Sequence, residues 1–439
     1  MRKTFFLSFL TLLLSLGTFA QKVSFEEYNL SNGLHVILHQ DNTAPVVTTS
    51  VMYHVGSKNE VVGRTGFAHF FEHLLFEGTK NIKRGDWFKI VSANGGTNNA
   101  NTTQDRTYYY EVFPSNNLKL GLWMESERMM HPIINQIGVD TQNEVVKEEK
   151  RLRVDNSPYG QWTSQVFKNL FKKHPYHWVT IGSMADLDAA TLEEFRAFNK
   201  KFYLPNNAVL VVSGDFELAS TKKLVKAYFE PIPAGPKVVQ SNIKEEPITK
   251  EIKTTYYDSN IQIPAVFTVY RTPAMTTRDA RILDMISDIL SGGKSSRLYK
   301  KLVDKDKKAL QIAAFNYSLE DYGAYIVLAL PLGKTSLDEL VNDMNKEIVK
   351  LQSNLISERE LQKLRNKFEN KFVNSNASVE GIANSLARFH LLYGDANLIN
   401  TEINIYNSVT REEIRDVAKK YLNPNQRLVL DYLPKKDKE

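Results

Sequence analysis

The spacing of apolar and polar positions changes period several times along the chain, and each change predicts an element. Over 28–38, apolar residues alternate with polar ones around Asn32-Gly33, which predicts two short strands joined by a tight turn, and a third strand follows over 46–54. The period then becomes helical over 66–76. At about 100° per residue, Phe67, Phe70, Phe71, Leu74 and Leu75 cover the circumference except for one narrow stripe of His69, Glu72 and His73. A helix that is apolar on all other sides is buried, and buried polar groups cost free energy unless something pairs with them. Further on, Gly95-Gly96 and a run of short polar side chains precede a strand over 106–113 that carries three consecutive tyrosines. Two readings stand for that stretch: a strand edge that takes up an extended peptide, or an ordinary glycine-rich hairpin. Helices are expected over 117–130 and 140–153.

Two distant parts of the chain repeat one another. Thr191-Leu192-Glu193-Glu194-Phe195 matches Thr410-Arg411-Glu412-Glu413-Ile414, and Lys200-Lys201-Phe202-Tyr203-Leu204-Pro205-Asn206 matches Lys419-Lys420-Tyr421-Leu422-Asn423-Pro424-Asn425 in the same register. In each copy a helix passes through a Pro-Asn turn into an apolar strand, over 208–212 and 427–432. The pattern predicts an α+β protein of two homologous α/β-sandwich domains, each a mixed sheet with helices packed on it. Residues 21–234 would form the N-terminal domain, 235–250 a linker behind a proline-rich break, and 251–439 the C-terminal domain. Only the first copy carries the histidine stripe; the corresponding helix of the second, over 278–290, has none.

The chain has 439 residues, 42% of them apolar, which suffices for two cores. Residues 1–20 read as a signal peptide: Arg2-Lys3, an apolar run over 5–16, then small residues ending at Ala20, which predicts a periplasmic or otherwise exported protein. No later segment is apolar for long enough to span a membrane. The formal net charge of +6 is spread without long basic runs, so nucleic acid is not an expected partner. There is no cysteine, which excludes disulfides and a thiol nucleophile.

His69 and His73 lie one helical turn apart, where two imidazoles converge on one cation with Glu72 beside it. The order His-x-x-Glu-His is that of the inverzincins, in which the glutamate is base rather than ligand. A third ligand is expected on the helix over 140–153, which carries Glu144, Glu148 and Glu149. If Val145, Val146 and Leu152 mark its buried face, Glu149 falls inside that face and Glu148 to one side. A carboxylate aimed into a core without a basic neighbour on its own face requires a cation, which selects Glu149. His35, His39 and His54 sit in strand patterns without ligand spacing and read as structural, and His174 and His177 flank Pro175 in a loop.

Together these residues resemble the pitrilysin-type zinc metallopeptidases, in particular the short two-domain branch that includes the mitochondrial processing peptidases. The resemblance rests on 66–78, on Gly95-Gly96 through Tyr109 with Asn99-Ala100, and on Val145-Val146-Lys147-Glu148-Glu149. It implies the processing-peptidase fold and one Zn²⁺ per chain, held by His69, His73 and Glu149. It also implies Glu72 as the base that activates the attacking water, Asn99 and Ala100 on a substrate-binding edge strand, and two such chains closing around a peptide. Two departures stand out. Where the family often has a second glutamate seven residues before the last ligand, this chain has Gln142, with Glu144 as the candidate to support the ligands instead. The Arg/Tyr pair of self-sufficient members is missing after Gly292-Gly293-Lys294-Ser295-Ser296-Arg297-Leu298; its positions read Val303 and Leu310 or Gln311. Arg297 and Tyr299 are expected on a helix surface. The resemblance then implies a related subunit that supplies Arg and Tyr across a heterodimer interface. An active homodimer is the runner-up, and a non-catalytic assembly or binding subunit of the same fold, like the core subunits of respiratory complexes, is the alternative from another class.

Overall fold

The computed structural model describes residues 22–435, so the expected signal segment lies outside the described residues. The first half builds a six-stranded sheet from β1 (Glu26–Asn29), β2 (His35–Gln40), β3 (Val46–Tyr53), β4 (Thr97–Thr102), β5 (Thr107–Pro114) and β6 (Ala208–Gly214), in the order β1-β2-β6-β3-β5-β4. The second half builds a five-stranded sheet from β7 (Ile252–Asp258), β8 (Ala265–Thr272), β9 (Ala309–Ser318), β10 (Gly323–Pro331) and β11 (Leu428–Pro434), in the order β7-β11-β8-β10-β9. In both, the strand after the repeated Pro-Asn turn inserts centrally: β6 runs parallel to β2 and antiparallel to β3, and β11 runs parallel to β7 and antiparallel to β8. The repeat also sets helix starts. Thr191 with Glu194, and Thr410 with Glu413, form the same reciprocal capping box.

Helices α1 (Phe67–Leu74), α2 (Trp87–Ala93), α3 (Leu118–Met130), α4 (Gln136–Lys150), α5 (Trp162–Leu170), α6 (Met184–Ala189), α7 (Leu192–Phe202) and α8 (Leu218–Phe229) belong to the first half of the chain. The second contributes α9 (Arg278–Ser291), α10 (Leu337–Ser353), α11 (Glu358–Ser375), α12 (Val379–Arg388), α13 (Leu398–Asn407) and α14 (Arg411–Tyr421). On one face of the first sheet Val36, Leu38, Leu210 and Val212 join Phe67, Phe70, Phe71 and Leu74 of α1 in one core. Alternate residues Ile37, Met52, Tyr108, Val209 and Val211 point the other way, against Ile382, Ala383, Leu386 and Ala387 of α12. With both faces covered, β6 is apolar without interruption, as its sequence is.

Packing crosses the proline-rich break twice. Helix α12 comes from the second half of the chain yet covers the first sheet, while Val166, Phe167 and Leu170 of α5 cover the second, against Phe267, Ile326 and Tyr432. Amphipathic periodicity marks α5 and α12 as half-buried but carries no information on which sheet each covers. A charged contact closes the same seam: Lys58 of the first half is buried within 3.1 Å of Asp105, 2.5 Å of Glu320 and 3.3 Å of Asp321, the last two at the tip of the β9–β10 hairpin.

Candidate metal centre

Helix α1 is held in place from all sides. Gly66, at φ 94°, opens it in a conformation favouring glycine, and a Cβ there would stand 2.9 Å from the Ile181 carbonyl oxygen. The buried Glu60 carboxyl group accepts hydrogen bonds from the Gly66 and Ala68 amides, both at 2.9 Å, satisfying free N–H groups at the helix N-terminus. Tyr109 of β5 donates its hydroxyl to the Phe71 carbonyl oxygen at 2.8 Å. At the other end Arg128 of α3, fully buried, donates to the Leu75 carbonyl oxygen at 3.3 Å, pairs with Glu111 at 2.9 Å and Glu125 at 3.1 Å, and lies over the rings of Phe76, Trp87 and Tyr109. Apolar residues chosen by the helical period are all buried, and the His69–Glu72–His73 stripe faces the cleft between α4 and β4.

There the structure brings Glu149 to the imidazoles. Its Oε2 lies 3.5 Å from His69 Nε2 and 3.2 Å from His73 Nε2. The two rings stand at 74° with centroids 4.9 Å apart, so their Nε2 lone pairs converge rather than run parallel. Metal–ligand bonds of about 2.0–2.1 Å in a tetrahedron place neighbouring donors about 3.3–3.4 Å apart, the spacing found here, and two imidazoles with one carboxylate suit zinc. Burial, and then the neighbouring His73, push His69 down to about 4, so the imidazole is the neutral form that ligation requires. The donor set therefore fits a zinc ion with room for a fourth ligand.

Glu149 is aimed by contacts other than an apolar face of its helix. Helix α4 begins earlier than expected, because the Asn135 side chain caps it by accepting from the Gly138 amide, and it ends in a π-helical turn over Arg151–Asp155. Of the residues taken to mark its buried face only Val146 is buried; Val145 is 43% and Leu152 64% exposed. Nor does Glu149 lack a basic neighbour. Arg153, one turn on, reaches its other oxygen at 2.7 Å and thereby turns Oε2 toward the imidazoles. The hydrogen bond from His73 comes first among the causes that lower the Glu149 pKa. Glu144 is a correction: its side chain is 70% exposed and pairs with Lys147, pointing away from the ligands because its place on the helical wheel is on the solvent side. Gln142 instead donates to Glu77 Oε1 at 2.5 Å, and Glu77 also pairs with Arg84, which ties α4 to the loop after α1.

Glu72 points past the ligands to the edge strand. Its Oε2 accepts a hydrogen bond from Thr102 Oγ1 of β4 at 2.6 Å, and burial raises its pKa above the usual carboxylate value. β4 is the edge strand of the first sheet, with Ala100 and Thr102 turned toward α1 and Asn99 exposed. The hairpin reading of this stretch is the one seen, with β4 paired to β5, and the other side of β4 is unpaired among the described residues. The Ala100 amide points to that open side, where Asn99 Oδ1 accepts from it at 2.9 Å. Thr102, Arg153, Glu60 and Arg128 were missed in the sequence. Period-two alternation from Ala100 signals Thr102 and the i+4 spacing from Glu149 signals Arg153; nothing local signals the other two.

Beyond the second-half landmark, Val303 lies in the π-helical turn over Tyr299–Lys305 and Leu310 and Gln311 are exposed on β9, so no Arg/Tyr pair stands at those positions. Arg297 is half-buried, gripping Glu360 of α11 with two hydrogen bonds at 3.0 and 2.9 Å, and Tyr299 packs partly into the second core; neither faces the metal centre.

Residues 35–183 match the family model described as insulinase (peptidase family M16), and residues 189–368 match the M16 inactive domain. The zinc protease PqqE of Helicobacter pylori is 32% identical over 385 residues, covering 86% of this chain and 87% of that protein. An uncharacterized zinc protease of Bacillus subtilis, YmxG, is 21% identical over 409 residues, 92% of this chain and 97% of its own length. Among solved structures, a protease from Helicobacter pylori superposes with a TM-score of 0.89 at 30% identity, covering 94% of this chain and 100% of that one. An M16 inactive domain from Pseudomonas fluorescens superposes at 0.82 with 15% identity over 95% of this chain and 100% of the other, which speaks to the fold alone. With both halves matched in order, and with a relative of this similarity aligned over most of its length, the chain belongs to the pitrilysin-type M16 peptidase family as a two-domain member.

Proposed function

We propose that this chain is an exported zinc-dependent endopeptidase that hydrolyses oligopeptides or unfolded segments. The observation that carries the reading is the convergence of His69 Nε2, His73 Nε2 and Glu149 Oε2 beside a glutamate that is itself hydrogen-bonded to an open strand edge. His69, His73 and Glu149 would hold one zinc ion, with Arg153 fixing the carboxylate. When bound, zinc supplies Lewis-acid polarisation of the scissile carbonyl and lowers the pKa of water toward neutrality.

Glu72 is the proton carrier. With Oε2 held by Thr102, its free Oε1 takes the proton of the attacking water and passes it to the leaving amine nitrogen. Burial raises the Glu72 pKa, so the carboxylate is a stronger base than one in water and better able to give the proton back as an acid. The substrate adds as a further strand on β4: its carbonyl replaces Asn99 Oδ1 on the Ala100 amide, and Asn99 swings to the peptide. Main-chain pairing of this kind favours extended, unfolded chains over particular sequences. Arg and Tyr for the developing oxyanion come from a related subunit, as Val303, Leu310 and Gln311 offer no such groups, with a homodimer as the next arrangement to test. Export rests on the Arg2-Lys3 and apolar pattern that ends at Ala20.

The test is Glu72→Gln, assayed with the partner subunit present. Zinc content by elemental mass spectrometry stays at the wild-type level, while peptide hydrolysis falls by on the order of 10²–10⁴-fold. Full activity in that variant removes Glu72 from the mechanism, and absence of bound zinc in the wild type favours the non-catalytic subunit.

A further inference from the structure

A second set of metal-ligating side chains lies on the other side of the first sheet, where α12 crosses over. His35 opens β2, and His390 belongs to the π-helical turn over Phe389–Tyr393 that continues α12. Their rings lie face to face, with centroids 3.5 Å apart and planes within 6°. Asn29 of β1 stands directly opposite His35, with its Oδ1 2.9 Å from His35 Nδ1. Glu27, on the same face of β1, brings Oε2 to 3.1 Å from His35 Nε2. One ligand atom from each of Glu27, His35 and His390 lies within 4.8 Å of the others, and His69, His73 and Glu149 form the other such group found among the described residues.

The polar groups around His35 include the partners that a metal-binding imidazole uses. Histidines that bind metal donate the remote ring N–H to a carbonyl or carboxylate oxygen, which fixes the tautomer and frees the other nitrogen. Here Nδ1 lies 2.9 Å from the Asn29 side-chain oxygen and Nε2 3.1 Å from a Glu27 carboxylate oxygen, so the tautomer with its proton on Nδ1 would offer Nε2 to a cation beside the carboxylate. In the metal-free protein a proton on Nε2 bridges that pair, and a cation would take the proton's place. The separation nearly equals that from His73 Nε2 to Glu149 Oε2, 3.2 Å, in the first centre. One feature differs: His69 and His73 converge at 74°, whereas His35 and His390 are parallel. Loading therefore turns His390 about its χ2, a soft torsion, and exchanges ring stacking for coordination.

We propose that Glu27, His35 and His390 form a second zinc site that clamps the β1–β2 hairpin to the segment following α12. Both flanks of the clamp belong to a seam already joined by hydrogen bonds: the Val23 amide donates to Asn400 Oδ1, and Asn400 Nδ2 donates to the Val23 carbonyl oxygen, each at 2.9 Å. The ion would tie down the crossed-over helix where it meets the start of the first sheet. With an exposed carboxylate and a ring that must turn, the site binds more weakly than the first. His35, which its strand context marks as structural, thereby gains a ligand role, because its partner His390 is brought to it only by the crossing of α12.

The full chain is stripped with a chelator and titrated with Zn²⁺, and bound zinc is counted by elemental mass spectrometry alongside thermal unfolding. Wild type is expected to take two ions, the second and weaker one raising the unfolding temperature. His390→Ala and Glu149→Gln should each take one, and the double variant none. Since His390→Ala also removes a stacked ring, Glu27→Gln, at an exposed position that leaves the stack in place, provides the independent variant; it should weaken the second ion at least tenfold and leave the first unchanged. A wild type that binds a single ion sensitive to Glu149→Gln, or a second ion indifferent to both His390→Ala and Glu27→Gln, overturns the proposal. Failure of the first centre has its own signature, zinc binding that Glu149→Gln leaves unaltered.

Discussion

The two halves of this protein solve one electrostatic problem with opposite charges. In the first, α1 turns His69 and His73, four residues apart, toward Glu149 on α4. In the second, α9 turns Asp284 and Asp288, also four residues apart, toward α11. There Lys367 and Lys371 meet the two Asp288 oxygens at 2.5 and 2.6 Å, while Asp284 accepts from Asn316 at 3.0 Å and from Tyr406 at 3.1 Å. Each helix packs beneath the edge strand of its sheet, β4 or β9. Glu149 of α4 reaches the polar pair on α1 with a carboxylate, whereas Lys371 of α11 reaches the pair on α9 with an ammonium. The second half thus brings its own cation, whereas the first assembles donors that call for one from outside. A buried polar stripe must be neutralised, and the source of the neutralising charge separates a structural helix from a reactive one.

Copying the second half into the first is the most disruptive way to break this comparison. Glu149→Lys places an ammonium between the imidazoles, so the tighter zinc ion should be lost and hydrolysis should fall to background while circular dichroism stays unchanged. Retention of that tighter ion in the variant would mean that Glu149 is not a ligand. Next in size is the support beneath α1. Arg128→Met leaves Glu111 and Glu125 buried without their guanidinium and releases the Leu75 carbonyl, so a loss of about 3–5 kcal/mol in urea-unfolding stability is expected. A loss below ~1 kcal/mol would show that the triad carries little.

The smallest effect sharpens the second half. Burial pushes the Asp284 pKa up to about 6 from 3.8, against the hydrogen bonds of Asn316 and Tyr406. Between those values the folded protein holds a proton that the unfolded chain has released. Wild-type stability therefore falls as pH rises from about 4 through 6 and levels off above. Asp284→Asn has no such proton and should gain on wild type by about 1–2 kcal/mol at pH 8, discounted for water in the cavity that Asp284 lines, and by nothing at pH 4. Equal stability differences at both pH values would remove Asp284 as the titrating group.

Much of the centre was legible because it is local. Phe67, Phe70, Phe71 and Leu74 bury one face of α1 as their spacing requires, and that alone aligns His69 with His73. Glu149 was legible for a reason only partly sound: the apolar residues used to orient α4 are largely exposed, and the supposed lack of a basic neighbour overlooked Arg153. The error on Glu144 has the same root, since a face drawn from few apolar residues assigns the neighbouring carboxylates poorly. Thr102, by contrast, follows from strand alternation once Ala100 is turned inward.

By itself the sequence determined the periods: which residues make each helix and strand, where the capping boxes start α7 and α14, and how two imidazoles share one helical turn. Those are short-range properties, set by backbone geometry within a few residues. Only the tertiary structure decided what each buried face meets. The exchange of α5 and α12 between sheets, the hold of Thr102 on Glu72, the turn of Glu149 by Arg153 and the meeting of His35 with His390 all join segments whose local patterns permit many partners. Packing and charge pairing across the whole chain select among them, and no periodicity records that choice.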